Sequence, residues 1–148
     1  MRRLLITGGS GYLGRRLIAL AVGRWQITAT YFCHPLHGDG FIATRMDVRD
    51  AGQVAALMAQ VRPDVVIHTA YTTESEEAMQ RVIIQGTRHV AQAAMGIGAR
   101  LIHLSTDVLF DGRRGHYTED DPPSPITPYG RAKAIAEALV AAEASEAV

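Results

Sequence analysis

The sequence predicts an α/β domain: a doubly wound parallel sheet in the strand order 3-2-1-4-5, with helices on both faces. Three observations carry that expectation. Short apolar runs alternate with longer amphipathic stretches along the 148 residues, the pattern of βαβ units. A glycine-rich turn stands directly between the first apolar run and the first amphipathic stretch. At 16.0 kDa the chain is long enough for one core and too short for two.

Each element follows from its local chemistry. Arg3–Thr7 is the first strand, and a helix from about Tyr12 to Val22 follows the turn. Gln26–Tyr31, rich in threonine and aromatic residues, is the second strand; Gly38-Asp39-Gly40 punctuates the loop before a third at Phe41–Arg45. Asp50 caps a helix through Val61, and Arg62-Pro63-Asp64 stops it. Val65–His68 is the fourth strand. From Glu74 to Met95 the pattern fits one helix or a broken one, with Gly86 the weak point. Gly96-Ile97-Gly98 ends it, and Arg100–Ser105 is the fifth strand. Residues 107–126 show no regular pattern, and so long a loop in a small domain points to function, the plain alternative being a surface excursion. Thr127 then caps a last helix whose first residue is Pro128 and which ends near Ala144.

Composition removes several function classes. Lysine plus arginine number 15 and aspartate plus glutamate 15, so the formal net charge is zero, which argues against a nucleic-acid partner. The single cysteine, Cys33, excludes an intramolecular disulfide and suits a reducing compartment. The apolar run Leu4-Leu5-Ile6 is cut short by Thr7-Gly8-Gly9, far below the roughly 7 to 15 residues of a secretory leader. No apolar stretch approaches the length of a membrane span. A cytoplasmic protein is the expectation. Arginine supplies all but one of the cations, and Lys133 is the only lysine; there is no asparagine. Where arginine serves every generic positive charge, the one retained lysine draws notice.

The glycine-rich turn reads Thr7-Gly8-Gly9-Ser10-Gly11-Tyr12-Leu13-Gly14. It contains Gly9-x-Gly11-x-x-Gly14 between a strand and a helix, the context that makes the pattern a Rossmann-type dinucleotide turn. Glycine lets backbone approach a diphosphate, and the helix N-terminus offers N–H donors with a partial positive charge. Gly8, Ser10, Gly11, Tyr12 and Leu13 are therefore the first cofactor-binding candidates, and a ligand-free tight turn is the plain alternative. The second strand ends Tyr31-Phe32-Cys33-His34, with no acid before Asp39 to hold the adenosine ribose of NAD. This favours NADP(H) over NAD(H), with Arg15, Arg16 or His34 as candidates for the 2′-phosphate and Tyr31, at the strand end, as a further cofactor-binding candidate.

Tyr129 and Lys133 stand at i and i+4 at the start of the last helix, hence on one face. A phenol titrates near pH 10, too high for efficient proton transfer at neutral pH. An ammonium about 4 Å away, at an effective dielectric near 20, would contribute about 4 kcal/mol and lower it. Such a pair can protonate a carbonyl oxygen as hydride reaches the carbon. Ser105-Thr106, at the C-terminal end of the fifth strand, supplies a third hydroxyl; ordinary turn chemistry is the alternative. The residues point to opposite faces, so one of the two serves. Of the six histidines, no two form an i, i+4 pair and no cysteine cluster joins them, so no metal site is expected. His68 and His103 fall in strands and read as hydrogen-bonded core residues. Glu119-Asp120-Asp121 reads as a solvated turn, and Arg113-Arg114 as exposed cations that could meet a sugar diphosphate.

These motifs resemble the extended short-chain dehydrogenase/reductases, and within them the dTDP-4-dehydrorhamnose reductase branch. The resemblance runs the length of the chain through the glycine-rich turn, Asp47-Val48, Leu104-Ser105-Thr106-Asp107-x-x-Phe110-Asp111-Gly112, Tyr117-x-Glu119-x-Asp121-x-Pro123 and Tyr129-Gly130-Arg131-Ala132-Lys133. It implies Thr106 as the hydroxyl of a catalytic triad, Tyr129 as acid/base and Lys133 on the nicotinamide ribose. It also implies Asp47 and Val48 beside the adenine, and Thr69, Ala70 and Tyr71 along the cofactor cleft. The implied reaction is NAD(P)H-dependent reduction of a 4-keto-6-deoxy sugar attached to a nucleotide. An epimerase or dehydratase of the same superfamily and a non-catalytic NADP-binding regulatory subunit are the alternatives; a homodimer is one open assembly. Where many members carry an asparagine, this chain has Ile83. Members run to roughly twice this length, so residues 1–148 are expected to be the dinucleotide-binding domain, lacking the substrate-binding part and turning over little alone.

Overall fold

Five strands pair in parallel in the order β3-β2-β1-β4-β5, in a computed structural model that describes residues 1–143. They are β1 (Arg3–Thr7), β2 (Gln26–Tyr31), β3 (Phe41–Arg45), β4 (Val65–His68) and β5 (Arg100–His103). The doubly wound order expected from the sequence is the one observed. Along β1 the side chains alternate between two cores, as a strand covered on both faces requires. Leu5 joins Val54, Met58, Val66, Val90 and Leu101 on one side. Leu4 and Ile6 join Ile18, Ile27 and Leu36 on the other.

The helices are α1 (Tyr12–Ala21), α2 (Ala51–Val61), α3 (Glu76–Met79), α4 (Gly86–Gly96) and α5 (Pro128–Glu143). Asp50 caps α2 by accepting from the Gln53 amide at 3.0 Å, and Thr127 caps α5 by accepting from Gly130 at 3.0 Å. Both caps were legible in the sequence. The expected end of α5 at Ala144 lies outside the described residues.

Three expectations are corrected. The run from Glu74 starts at Glu76, because Ser75 is the cap, its Oγ accepting from the Ala78 amide at 3.0 Å. Of the two forms left open the run takes the unbroken one, but it is not α-helical throughout: a π-helical segment, Gln80–Gln85, joins α3 to α4. Gly86 marks the junction, as a site of close approach: a Cβ there would lie 2.8 Å from Val48 Cγ2. Finally, β5 ends at His103, so Ser105 and Thr106 lie past the strand, and a 3₁₀ turn (Asp107–Leu109) opens the long loop. The rest of the loop is held by its own contacts: Ser124 N–H donates to the Leu109 carbonyl at 2.8 Å, the Tyr117 hydroxyl donates to Asp111 at 2.6 Å, and Phe110 stacks on Tyr117.

Candidate functional site

The β1–α1 turn is built so that backbone meets backbone. Gly8 has φ +68°, and a Cβ on it would lie 2.8 Å from the Ala70 amide nitrogen. A Cβ on Gly14 would collide with the Gly8 carbonyl oxygen. Gly9 N–H donates to Thr30 at the end of β2 (2.7 Å), and the Thr69 hydroxyl donates to the Thr7 carbonyl (2.7 Å). The turn is thus tied to the strands on both sides of it. No side chain caps α1 at Gly11, which leaves its first-turn N–H groups for a ligand.

A cavity of about 340 Å³ opens beside this turn. Gly8, Ser10 and Gly11 line it from the turn, Tyr31 from the end of β2, Asp47 and Val48 from beyond β3, and Thr69, Ala70 and Tyr71 from beyond β4. These are nine of the sequence candidates, brought to one wall by a shared sheet edge. Tyr12 and Leu13 are exposed on the first turn of α1, and Thr106, Tyr129 and Lys133 do not line this cavity.

Phe32 and Arg49 line the cavity and were missed as site residues. Arg49 grips Asp47 with two parallel hydrogen bonds, Nε to Oδ1 at 2.8 Å and Nη2 to Oδ2 at 2.7 Å. Its guanidinium lies 4.6 Å from the Phe32 ring centre. The Arg49 contact holds the Asp47 carboxyl below its usual range. The only sequence signal was an arginine two residues after the aspartate, indistinguishable there from a solvated cation. His34 also lines the cavity. Arg15 instead donates to the Ser10 carbonyl at 3.0 Å, and Arg16 is exposed.

Tyr129, half-buried on α5, packs edge-on against Tyr71 with ring centres 6.1 Å apart. Tyr71 lines the cavity, so the phenol stands one ring beyond its wall. The expected lowering of that phenol by Lys133 is not what the structure shows. Burial, with Tyr71 adding to it, pushes Tyr129 up. The amine is drawn to β5 instead: Lys133 Nζ donates to the Leu104 carbonyl and lies 3.3 Å from His103 Nε2. No hydrogen bond joins Tyr129 to Lys133 among the described residues. Lys133 is 6% exposed, and burial pushes it down to about 8, with Glu137 opposing.

Ser105 and Thr106 do diverge. Ser105 donates to Glu137 on α5 at 2.8 Å, whereas Thr106 caps the 3₁₀ turn, accepting from the Val108 amide at 3.4 Å. His68 is the expected core residue, held between Thr7 (2.6 Å) and Thr87 (3.1 Å). His103 is more than that, because it meets Lys133. Among the described residues no three His, Cys, Asp or Glu side chains converge as a metal site would need, and no helix is long and apolar enough to cross a membrane.

Over residues 1–148 the chain matches the family described as the RmlD substrate binding domain. It belongs to that family. It is 33% identical over 149 residues to the dTDP-4-dehydrorhamnose reductase of Aggregatibacter actinomycetemcomitans, covering 95% of this chain and 47% of that protein. It is 32% identical over 151 residues to methionine adenosyltransferase 2 subunit beta of Xenopus tropicalis, covering 94% of this chain and 42% of that one. The Bordetella bronchiseptica enzyme WbmG, solved with NAD and UDP, superposes with TM-score 0.86 at 27% identity over 96% of this chain and 50% of its own. The chain spans about half the length of the curated relatives it matches. The residues present fit a dinucleotide: a cradle that a Cβ would fill at Gly8 and Gly14, uncapped N–H donors at α1, and an adjoining cavity.

Proposed function

We propose that this chain is the dinucleotide-binding part of an NAD(P)H-dependent reductase acting on the 4-keto group of a nucleotide-linked 6-deoxy sugar. The observation that carries the reading is the contact between Tyr71, in the cavity wall, and Tyr129, the proton donor required at its end. The relatives named as dTDP-4-dehydrorhamnose reductases supply the substrate class. The sugar is oriented by sequence outside these 148 residues.

In this reading Gly8, Ser10, Gly11, Tyr12 and Leu13 hold the diphosphate by backbone N–H groups. Tyr31, Asp47 and Val48 flank the adenosine, and Thr69, Ala70 and Tyr71 wall the cleft. The cofactor, when bound, supplies hydride to the carbonyl carbon. Tyr129 gives its proton to the carbonyl oxygen, Thr106 hydrogen-bonds that oxygen, and Lys133 holds the nicotinamide ribose. Burial raises the phenol, so Tyr129 holds its proton at neutral pH but is a weaker acid than a close ammonium would make it, and the proton transfer relies on charge that develops on the carbonyl oxygen as hydride arrives. NADP(H) is favoured over NAD(H), because the end of β2 offers no carboxylate and His34 and Arg49 stand at the cavity instead. Arg49 must exchange Asp47 for the 2′-phosphate, so the preference is modest. A cytoplasmic setting and a homodimer remain part of the proposal.

A non-catalytic nucleotide-binding subunit is the second reading, favoured by the likeness to a protein named as a subunit and by the amine turned toward β5. Turnover separates the two. In the intact protein, NADPH oxidation driven by a dTDP-linked 4-keto-6-deoxy sugar is expected, and Tyr129→Phe abolishes it while leaving cofactor affinity within a few-fold. Cofactor binding with no oxidation by the unaltered intact protein would overturn the reductase reading. The 148-residue chain alone should bind cofactor with little steady turnover, since half a cleft neither orients substrate nor excludes water.

A further inference from the structure

A polar row crosses the sheet beneath the site. Thr7 on β1 is the register partner of His68 on β4, and His68 is the register partner of His103 on β5. The Thr7 hydroxyl and His68 Nδ1 are 2.6 Å apart, and His68 Nε2 is 3.1 Å from the Thr87 hydroxyl on α4. The His68 and His103 rings stack, 5.7 Å between centres and 26° between planes. His103 Nε2 then lies 3.3 Å from Lys133 Nζ. The row begins at Thr7, the first residue of the glycine-rich turn, and ends at the chain's only lysine amine.

We propose that His103 is a positioning residue for Lys133: its neutral imidazole accepts a hydrogen bond from the ammonium and, with the Leu104 carbonyl, fixes where the amine stands. This rests on the reading of Lys133 given above, and it goes beyond it in naming what holds that side chain.

The chemistry is restrictive. An ammonium only donates, so Nε2 must present its lone pair and the ring proton must sit on Nδ1. A second positive charge 3.3 Å away would be repelled, and burial together with Lys133 pushes His103 down to about 4. The ring cannot easily tip, because it stacks on a histidine that two threonine hydroxyls lock. His103 Nδ1 is buried with no hydrogen-bond partner among the described residues. Among the described residues the other side of α5 offers nothing comparable. Ile83 is 1% exposed and packs against Ala132 and Ala136, so the π-helical segment presents an apolar surface there. The other titratable groups that act with the amine are His68 from β4, which it pushes down, and Glu137 from α5, which pushes it up. The Glu137 carboxylate accepts from Ser105 at 2.8 Å.

A chain with one lysine gives one lysine side-chain signal, which makes the test direct. With ¹³C- and ¹⁵N-labelled lysine, the amine of the unaltered chain should titrate well below an ordinary lysine. In His103→Phe the charged form loses an acceptor, so the midpoint should fall by a further amount of about one pH unit. His103→Gln, which keeps an acceptor oxygen at similar reach, should restore most of it. A folded His103→Phe chain whose lysine titrates as before would overturn the proposal. Should His103→Phe fail to fold, labelled histidine in the unaltered chain decides: a proton on His103 Nδ1 supports the pairing, and one on Nε2 contradicts it. Neither readout needs cofactor or turnover. Addition of NADPH tests the functional reading separately, since an unmoved lysine signal at saturating NADPH would contradict the ribose role and leave the His103 pairing intact.

Discussion

Arg49 has three neighbours that fix its role: Asp47 in a two-pronged ion pair, the Phe32 ring beneath it, and the cavity in front. Arg49→Gln should weaken NADPH binding about tenfold, the loss of one hydrogen bond to a charged group, and leave NADH within a few-fold. Equal losses for both cofactors in a calorimetric titration would remove Arg49 from the discrimination. Nothing in the sequence separated this arginine from thirteen others, because its role depends on an aromatic ring seventeen positions earlier. The Tyr129–Lys133 spacing was legible for the opposite reason: i and i+4 share a helix face whatever the surroundings. The direction of the amine was not legible, since His103 and Leu104 stand some thirty residues away, at the end of β5 and just past it.

At the scale of elements, helix propensity and packing oppose each other at Gly86. Alanine there would gain about 0.8–1 kcal/mol of propensity. Its Cβ would meet Val48, 7% exposed, at 2.8 Å, and such overpacking costs about 1–3 kcal/mol. The net is a loss, so Gly86→Ala should lower Tm by a few degrees in a calorimetric scan; a raised Tm would show that Val48 yields freely. The sheet order and both caps were readable because alternating runs and Asp or Thr before a helix are local signals. The π-helical segment was not, because it is set by how Met79, Ile83 and Ile84 fit against Ala132 and Ala136 of α5. The end of β5 was overrun by two residues for a similar reason: Ser105 leaves the sheet to reach Glu137, and Thr106 to cap a 3₁₀ turn.

Across the whole molecule, two histidines held neutral set the response to acid. Burial, aided by His103 and Lys133, pushes His68 down to about 3, and burial with Lys133 pushes His103 to about 4, from 6.5 in the open chain. The unfolded chain therefore binds more protons below pH 6.5. Stability present above that value should be lost as pH falls toward 4 and then 3, by at most about 1.4 kcal/mol per pH unit for each histidine. Urea midpoints at pH 7 and pH 5 test this, and equal midpoints would contradict it. The cleft itself is tested most directly by calorimetric titration of the 148-residue chain with NADPH and with NADH. The account predicts saturable binding at one site per chain, tighter for NADPH. No heat of binding from either dinucleotide at millimolar concentration, with the chain shown to be folded, would contradict it.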